Sequence, residues 1–213
     1  MILLKKVIRK IYRNHFQNRI QLGNFNLNIG KGHNLPYVLE DYPEYGTNIV
    51  RIAKSLYEKD GELSIIDIGA NVGDTIATLL TDVPESRITA IEGDSHFYSI
   101  LKSNFSLNKN VYLYQYFLGE NNVVIESNVQ RNGSTLRIEK GAHNKKIELT
   151  TLDTFLNTHP IYKKSKLLKV DTDGYDNSIL RGAKEYLTNS KPVVFFEYDV
   201  TLLAKNNEGG LDI

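Results

Sequence analysis

Ile65-Ile66-Asp67-Ile68-Gly69-Ala70-Asn71-Val72-Gly73-Asp74-Thr75 decides how the rest of the chain is read. Leu63–Ile68 is an apolar run ending in Asp67 and Gly69, which predicts a buried strand. Asp74–Leu80 predicts the helix that follows, with Asp74 or Thr75 placed to cap it. Between them, Gly69 and Gly73 allow a sharp turn and let backbone approach a ligand with no Cβ in the way. The first N–H groups of the helix then face whatever lies above the turn. A dinucleotide fold would show G-x-G-x-x-G, whereas this turn reads G-x-x-x-G with Asn at position 71.

Working outward, strand and helix patterns alternate. Arg87–Ile91 predicts a strand, Ser95–Leu107 a helix with Phe97, Ile100, Leu101 and Phe105 on its inner face, and Val111–Leu118 a third strand. Val123–Ser127, Leu136–Glu139 and Lys146–Leu149 read as short antiparallel strands with turns at Asn132–Gly133 and Gly141. Thr151–Leu156 predicts a small helix, Leu167–Val170 an apolar strand, Asn177–Leu187 a helix and Pro192–Phe196 a last strand. Upstream, residues 21–47 read as irregular or short β structure leading into a helix at Gly46–Lys59. Such alternation implies parallel strands with right-handed crossovers, hence an α/β, doubly wound, mostly parallel sheet. Ligands in such sheets bind beyond the strands' carboxyl ends. Asp67, Glu92, the Tyr116–Gly119 segment, Asp171 and Glu197 stand at those ends. Four carboxylates in four such places are the strongest physical signal in the chain. Glu92 there suits the two hydroxyl hydrogens of a ribose.

Bulk properties narrow the function classes. The 213 residues suffice for one α/β domain with an extension, and 41% hydrophobic and 24% charged residues are ordinary for a globular protein. A formal charge of +1 gives no global field for nucleic acid, and none is expected as a partner. With no cysteine, a disulfide framework, a thiolate zinc site and a cysteine nucleophile are all excluded. The five histidines show no metal-ligand spacing, and no metal is expected. No internal repeat or low-complexity tract is present. No apolar run approaches the roughly 20 residues of a bilayer span. Residues 1–20 carry Lys5, Lys6, Arg9, Lys10, Arg13 and Arg19 among Leu3, Leu4, Val7, Ile8, Ile11, Tyr12 and Phe16. That spacing predicts a basic amphipathic helix, packed on the domain or docked on an anionic membrane surface. The location expected is cytoplasmic, with contact at the inner membrane face only in the docked alternative.

Three blocks, in order, resemble the FkbM-type family of class I S-adenosylmethionine-dependent methyltransferases. They are Asp67-Ile68-Gly69-Ala70-Asn71-Val72-Gly73 continuing to Ala90-Ile91-Glu92, then Leu149-Thr150-Thr151-Leu152-Asp153-Thr154-Phe155-Leu156, then Leu168-Lys169-Val170-Asp171-Thr172-Asp173-Gly174-Tyr175-Asp176. Leu180-Arg181-Gly182-Ala183 and Pro192-Val193-Val194-Phe195-Phe196-Glu197 follow the third block, and Gly133-Ser134-Thr135-Leu136 precedes the second. The resemblance implies S-adenosyl-L-methionine as cofactor in a Rossmann-like domain. Asp67, Gly69, Ala70, Asn71 and Gly73 would surround its methionine moiety, Glu92 its ribose, and Tyr116, Phe117 and Leu118 its adenine. Asp171, Asp173 and Glu197 are the candidate catalytic carboxylates. The implied reaction is O-methylation of a hydroxyl on a carbohydrate or similar small-molecule acceptor.

The family usually has Glu where this chain has Asp173, and often where it has Asp176. Each change keeps the charge and shortens the reach by one methylene. The chain ends soon after the fifth strand, where class I enzymes add a helix and an antiparallel hairpin, so a sheet edge without that hairpin is expected. Domain organisation is read as an N-terminal basic helix and cap over 1–59 and a methyltransferase domain over 60–213, forming one structural unit. Two alternatives stay open on the sequence: a nucleotide-binding oxidoreductase or epimerase, and a shortened methyltransferase domain serving as a binding module.

Overall fold

Apolar runs of four or five residues, broken by Gly, Asn or Asp, set the elements in the computed structural model, which describes residues 18–139 and 145–198. Strands β1 (Arg19–Leu22) and β2 (Phe25–Asn28) form an antiparallel hairpin, followed by helices α1 (Leu35–Asp41) and α2 (Thr47–Asp60). Then come β3 (Ser64–Ile68), α3 (Asp74–Asp82), β4 (Arg87–Ile91), α4 (Ser95–Phe105) and β5 (Val111–Tyr114). A second set, β6 (Phe117–Leu118), β7 (Val123–Asn132), β8 (Thr135–Glu139) and β9 (Lys145–Thr150), makes a separate four-stranded sheet. Last are α5 (Leu152–Thr158), a 3-10 turn at Pro160–Lys164, β10 (Leu167–Val170), α6 (Asp176–Arg181), α7 (Lys184–Ser190) and β11 (Val193–Phe196).

The main sheet runs β11-β10-β3-β4-β5 with every pairing parallel. It is a Rossmann-like, doubly wound sheet buried on both faces. Alternation within the strands divides the core: Ile65, Ile88 and Leu167 face one cluster, Ile66, Leu168 and Val170 the other. Leu27, Ile29, Leu35 and Ile49 of the leading segment are buried in the first cluster, so this segment shares a core with the sheet. Ile29, 1% exposed, reports on that sharing. Ile29→Val is expected to cost about 0.5–1.5 kcal/mol in urea unfolding, and no measurable loss would detach the segment from the core.

Several sequence expectations change. Val111–Leu118 is two strands, because the chain leaves the main sheet after Tyr114 and Phe117–Leu118 pairs instead with Leu149–Thr150. Asn177–Leu187 is two helices. A Cβ on Gly182 would stand 2.2 Å from the Gly119 carbonyl oxygen, so the chain passes too close there for any other residue. Asp153 restarts the helix from outside, its carboxylate accepting the N–H groups of Glu185 and Tyr186 at 2.8 and 2.9 Å. The N-cap of α3 is neither Asp74 nor Thr75 but Gly73, at φ 91°. β7 runs to Asn132, five residues past Ser127, and turns through Gly133 into β8. The helix read over residues 1–20 lies outside the described residues, except that Arg19 and Ile20 are strand. Gly141 and the segment after Tyr198 also lie outside them. Among the described residues no helix is long and apolar enough to cross a membrane.

Candidate active site

Strand order reverses between β3 and β10, the place where doubly wound sheets open a crevice at their carboxyl edge. Two loops meet there. A Cβ on Gly69 (φ 76°) would stand 1.9 Å from the Asp171 carbonyl oxygen, so the loops after β3 and β10 touch only because position 69 is glycine. Asn71 adopts φ 51°, a left-handed conformation that Asn tolerates better than most residues. Its side chain ties three segments together. Nδ2 donates to the Ser134 carbonyl at 2.8 Å, and Oδ1 lies 3.0 Å from His33 Nε2. Because His33 Nδ1 accepts the Leu35 N–H at 3.1 Å, Nε2 carries the proton and donates to Asn71. Burial holds the His33 pKa below its ordinary value, in keeping with a neutral ring.

Glu92 follows β4. One carboxylate oxygen accepts the Asn71 N–H at 2.9 Å and the other the Asp94 N–H at 2.8 Å. These bonds fix the carboxylate and leave lone pairs on both oxygens for further donors. Burial pushes its pKa up to about 7. Ile91, Gly93, Phe97, Phe117 and Leu118 continue an apolar cleft beside it, Phe117 lying on Gly93 where a Cβ would be 2.3 Å from the ring. Tyr116, 43% exposed, stands at its rim.

Lys169 sits on the floor at the other end. It is paired with Asp67 in the strand register and reaches two carboxylates, Asp67 at 3.1 Å and Asp171 at 3.3 Å. Burial alone would favour a neutral amine, but Asp67, Asp171 and Asp74 outweigh it and drive its pKa well above the ordinary lysine value. The loop after Asp171 is held by Asp176, whose Oδ2 accepts from Thr172 Oγ1 at 3.0 Å and from the Gly174 N–H at 3.3 Å. Asp173, inside that loop, adopts φ 54°. The cleft beside Glu92 and a second, more polar cavity lined by His33, Tyr45, Asp74, Thr75 and Ser134 meet at Gly69, Asn71, Asp171 and Asp173.

The fold thus gathers Gly69, Asn71, Glu92, Tyr116, Phe117, Leu118, Asp171 and Asp173 around two adjoining cavities. It leaves four sequence candidates outside. Asp67 has no exposed surface and faces Lys169 behind the loop. Ala70 is buried, and Gly73 lies against Phe105, where a Cβ would be 2.3 Å from the ring. Glu197 is exposed beyond the edge strand and lines neither cavity. Sequence reasoning missed Lys169 and the orienting role of Asp176. The signal for Lys169 was a charge inside the apolar run Leu167-Leu168-Lys169-Val170, which a strand buried on both faces admits only with a partner. Among the described residues no group of three or more acidic or histidine side chains could hold a metal ion.

A family model described as Methyltransferase FkbM domain matches residues 67–208. No curated protein matches the chain. Among solved structures, precorrin-6y C5,15-methyltransferase from Geobacter metallireducens GS-15 is similar at 15% identity and TM-score 0.45, covering 75% of this chain and 67% of that one. A putative caffeoyl-CoA O-methyltransferase from Staphylococcus aureus is similar at 14% identity and TM-score 0.37, covering 90% and 68%.

Proposed function

This chain belongs to the FkbM methyltransferase family, and from that premise we propose that it uses S-adenosyl-L-methionine to methylate a hydroxyl oxygen of a carbohydrate or similar acceptor. The family makes it a methyl-transfer enzyme. The observation that carries the finer reading is the junction of an apolar, carboxylate-ended cleft with a polar cavity at Asp171 and Asp173. The residues present fit the cofactor. Glu92 offers anchored acceptors to ribose hydroxyls, Phe117 and Leu118 offer an apolar wall to adenine, and Gly69 and Asn71 offer loop backbone to the methionine end. When bound, the cofactor supplies a sulfonium methyl group open to in-line displacement by oxygen. Asp67 serves from behind, neutralising Lys169 rather than touching ligand. Asp171 and Asp173 are placed to orient the acceptor hydroxyl and take its proton.

Glu92→Ala is expected to weaken binding of S-adenosylhomocysteine by about 100-fold or more, since each of two bonds to a charged acceptor contributes about 1.5–3 kcal/mol. Unchanged affinity by calorimetry would remove Glu92 from the site. The wild-type affinity carries a pH signature. Two donated hydroxyls favour the ionised carboxylate, and Glu92 ionises near pH 7 in the free protein. Affinity therefore rises with pH through 7 and should be about tenfold weaker at pH 6 than at pH 8. A flat profile would show that Glu92 does not bind as the anion. The acceptor class is tested by incubating the protein with methyl-labelled cofactor and a glycan panel. Label arriving on nitrogen or carbon, or on no acceptor, would defeat O-methylation.

A further inference from the structure

The amino edge of the main sheet, opposite the cleft, carries a cavity of about 750 Å³, a size usual for a small-molecule site. Separate parts of the chain converge on it. Ser64 and Arg87 open β3 and β4, Tyr112 lies in β5, and Lys166 immediately precedes β10. Tyr162, Lys163 and Lys164, from the 3-10 turn at Pro160–Lys164, form another wall. Strands of four or five residues, rising about 3.3 Å per residue, set this cavity roughly 15 Å from Glu92 and Asp171.

Charge divides between the two edges. Glu92, Asp171 and Asp173 line the carboxyl-edge cleft, whereas Arg87, Lys163, Lys164 and Lys166 line this cavity together with Glu62. The formal charge of +1 conceals that division. Three of the four cations have acidic partners: Arg87 meets Glu62 at 3.2 Å, Lys166 meets Asp60 at 3.2 Å, and Lys163 meets Glu185 at 3.9 Å. The side chains of these cations are open to water, where such pairs contribute little and yield to an anion of higher charge. Lys164 makes no ion pair with a described residue. Ser165, 3% exposed between Lys164 and Lys166, has a hydroxyl with no hydrogen-bond partner among the described residues, an orphan that an arriving acceptor would satisfy. Beside this basic wall, Tyr112 packs on Tyr162 with ring centroids 5.7 Å apart and leaves 40% of its own surface open.

We infer that this cavity is a second binding site, for a nucleoside phosphate. The phosphate takes Lys164 and draws the neighbouring cations from their weak partners, and the base lies on the open face of Tyr112. Ser64 and Ser190 add hydroxyls to the lining for the sugar. A bare anion would leave the tyrosines unused, and an uncharged ring would leave the four cations unused. The site stands apart from the proposed methyl transfer, since it shares no lining residue with the cleft at the carboxyl edge. Both can be filled at once.

Calorimetry on the full chain, with S-adenosylhomocysteine present to fill the carboxyl-edge cleft, tests this with UMP, UDP, uridine, inorganic phosphate and pyrophosphate. UMP and UDP should bind about tenfold or more tightly than uridine or either inorganic anion, because ring and charge act together. Their affinity should fall as salt is added, since charges open to water are screened. Lys164→Gln should weaken UMP by about 3–10-fold. Tyr112→Leu should weaken UMP by about as much and leave pyrophosphate unchanged, a split that general damage to the fold would not give. Replacing Lys163, Lys164 and Lys166 together by Gln, at positions open to water, should abolish UMP binding while circular dichroism matches wild type. No nucleotide binding, nucleotides no tighter than pyrophosphate, or UMP unaffected by the triple replacement would each overturn the inference. So would loss of UMP binding in Glu92→Ala with the triple variant unaffected, which puts the nucleotide in the other cleft. UMP binding without S-adenosylhomocysteine binding sustains this site and defeats the cofactor proposed above, and binding of neither defeats both.

Discussion

Lys169→Met is expected to destabilise the protein by about 3–5 kcal/mol at neutral pH, the usual cost of removing one partner from a buried ion pair. The side chains have similar length, so little volume is lost. What remains is the Asp67 carboxylate with no exposed surface, no hydrogen bond and its neutralising ammonium gone. The loss should depend on pH in a definite direction. Burial already raises the Asp67 pKa against the opposing pull of Lys169, and without Lys169 burial and the Asp171 charge act unopposed, so its folded pKa climbs further above the unfolded value. The folded state then binds more protons than the unfolded one over that interval, so stability falls as pH rises through it. Below the unfolded pKa both states are protonated and this penalty vanishes. Urea unfolding at pH 5 and pH 7.5 should show the gap between variant and wild type widening by about 1.4 kcal/mol per pH unit over the interval. A gap equal at both pH values would mean that packing, not the stranded charge, sets the cost.

That buried pair marks the limit of what the sequence discloses. The turn after β3 was legible because its residues carry local signals: Gly69 for a sharp turn at φ 76°, Asn71 for a left-handed backbone, and Glu92 for the next strand end. The parallel sheet followed from alternation alone. Asp67 was legible as an acid at a strand end but not as the partner of Lys169, since their pairing depends on β10 lying beside β3 after a long excursion through the second sheet. The break at Gly182 has the same origin. Its glycine was visible, but the Gly119 carbonyl that forbids a side chain there comes from a distant turn. Asp153, read as part of a family block, proves to be a helix cap delivered across the fold. Local rules fix turns and faces; which distant group meets them is settled by topology.

Topology also ranks the three candidate carboxylates for catalysis. A sugar hydroxyl is a weak nucleophile at neutral pH, and a positioned base contributes about 10²–10⁴-fold. Asp171 is bonded to the Lys169 ammonium, which holds its carboxylate in place and suits it to orienting the acceptor. Asp173 lines both cavities on a loop held by Asp176, in a backbone conformation few non-glycine residues adopt, of the sort that concentrates at functional sites. Glu197 lines neither. With a verified acceptor and saturating cofactor, Asp173→Asn is expected to lower kcat by about 10²–10⁴ with little change in cofactor affinity. Asp171→Asn should raise the acceptor KM as well as lower kcat, because it disturbs orientation and the Lys169 pair together. Glu197→Gln should match wild type. Full turnover in Asp173→Asn would instead assign the acceleration to alignment of the oxygen with the methyl group, which by itself contributes several kcal/mol. A loss confined to Glu197→Gln would require the edge strand to close over the cleft during the reaction.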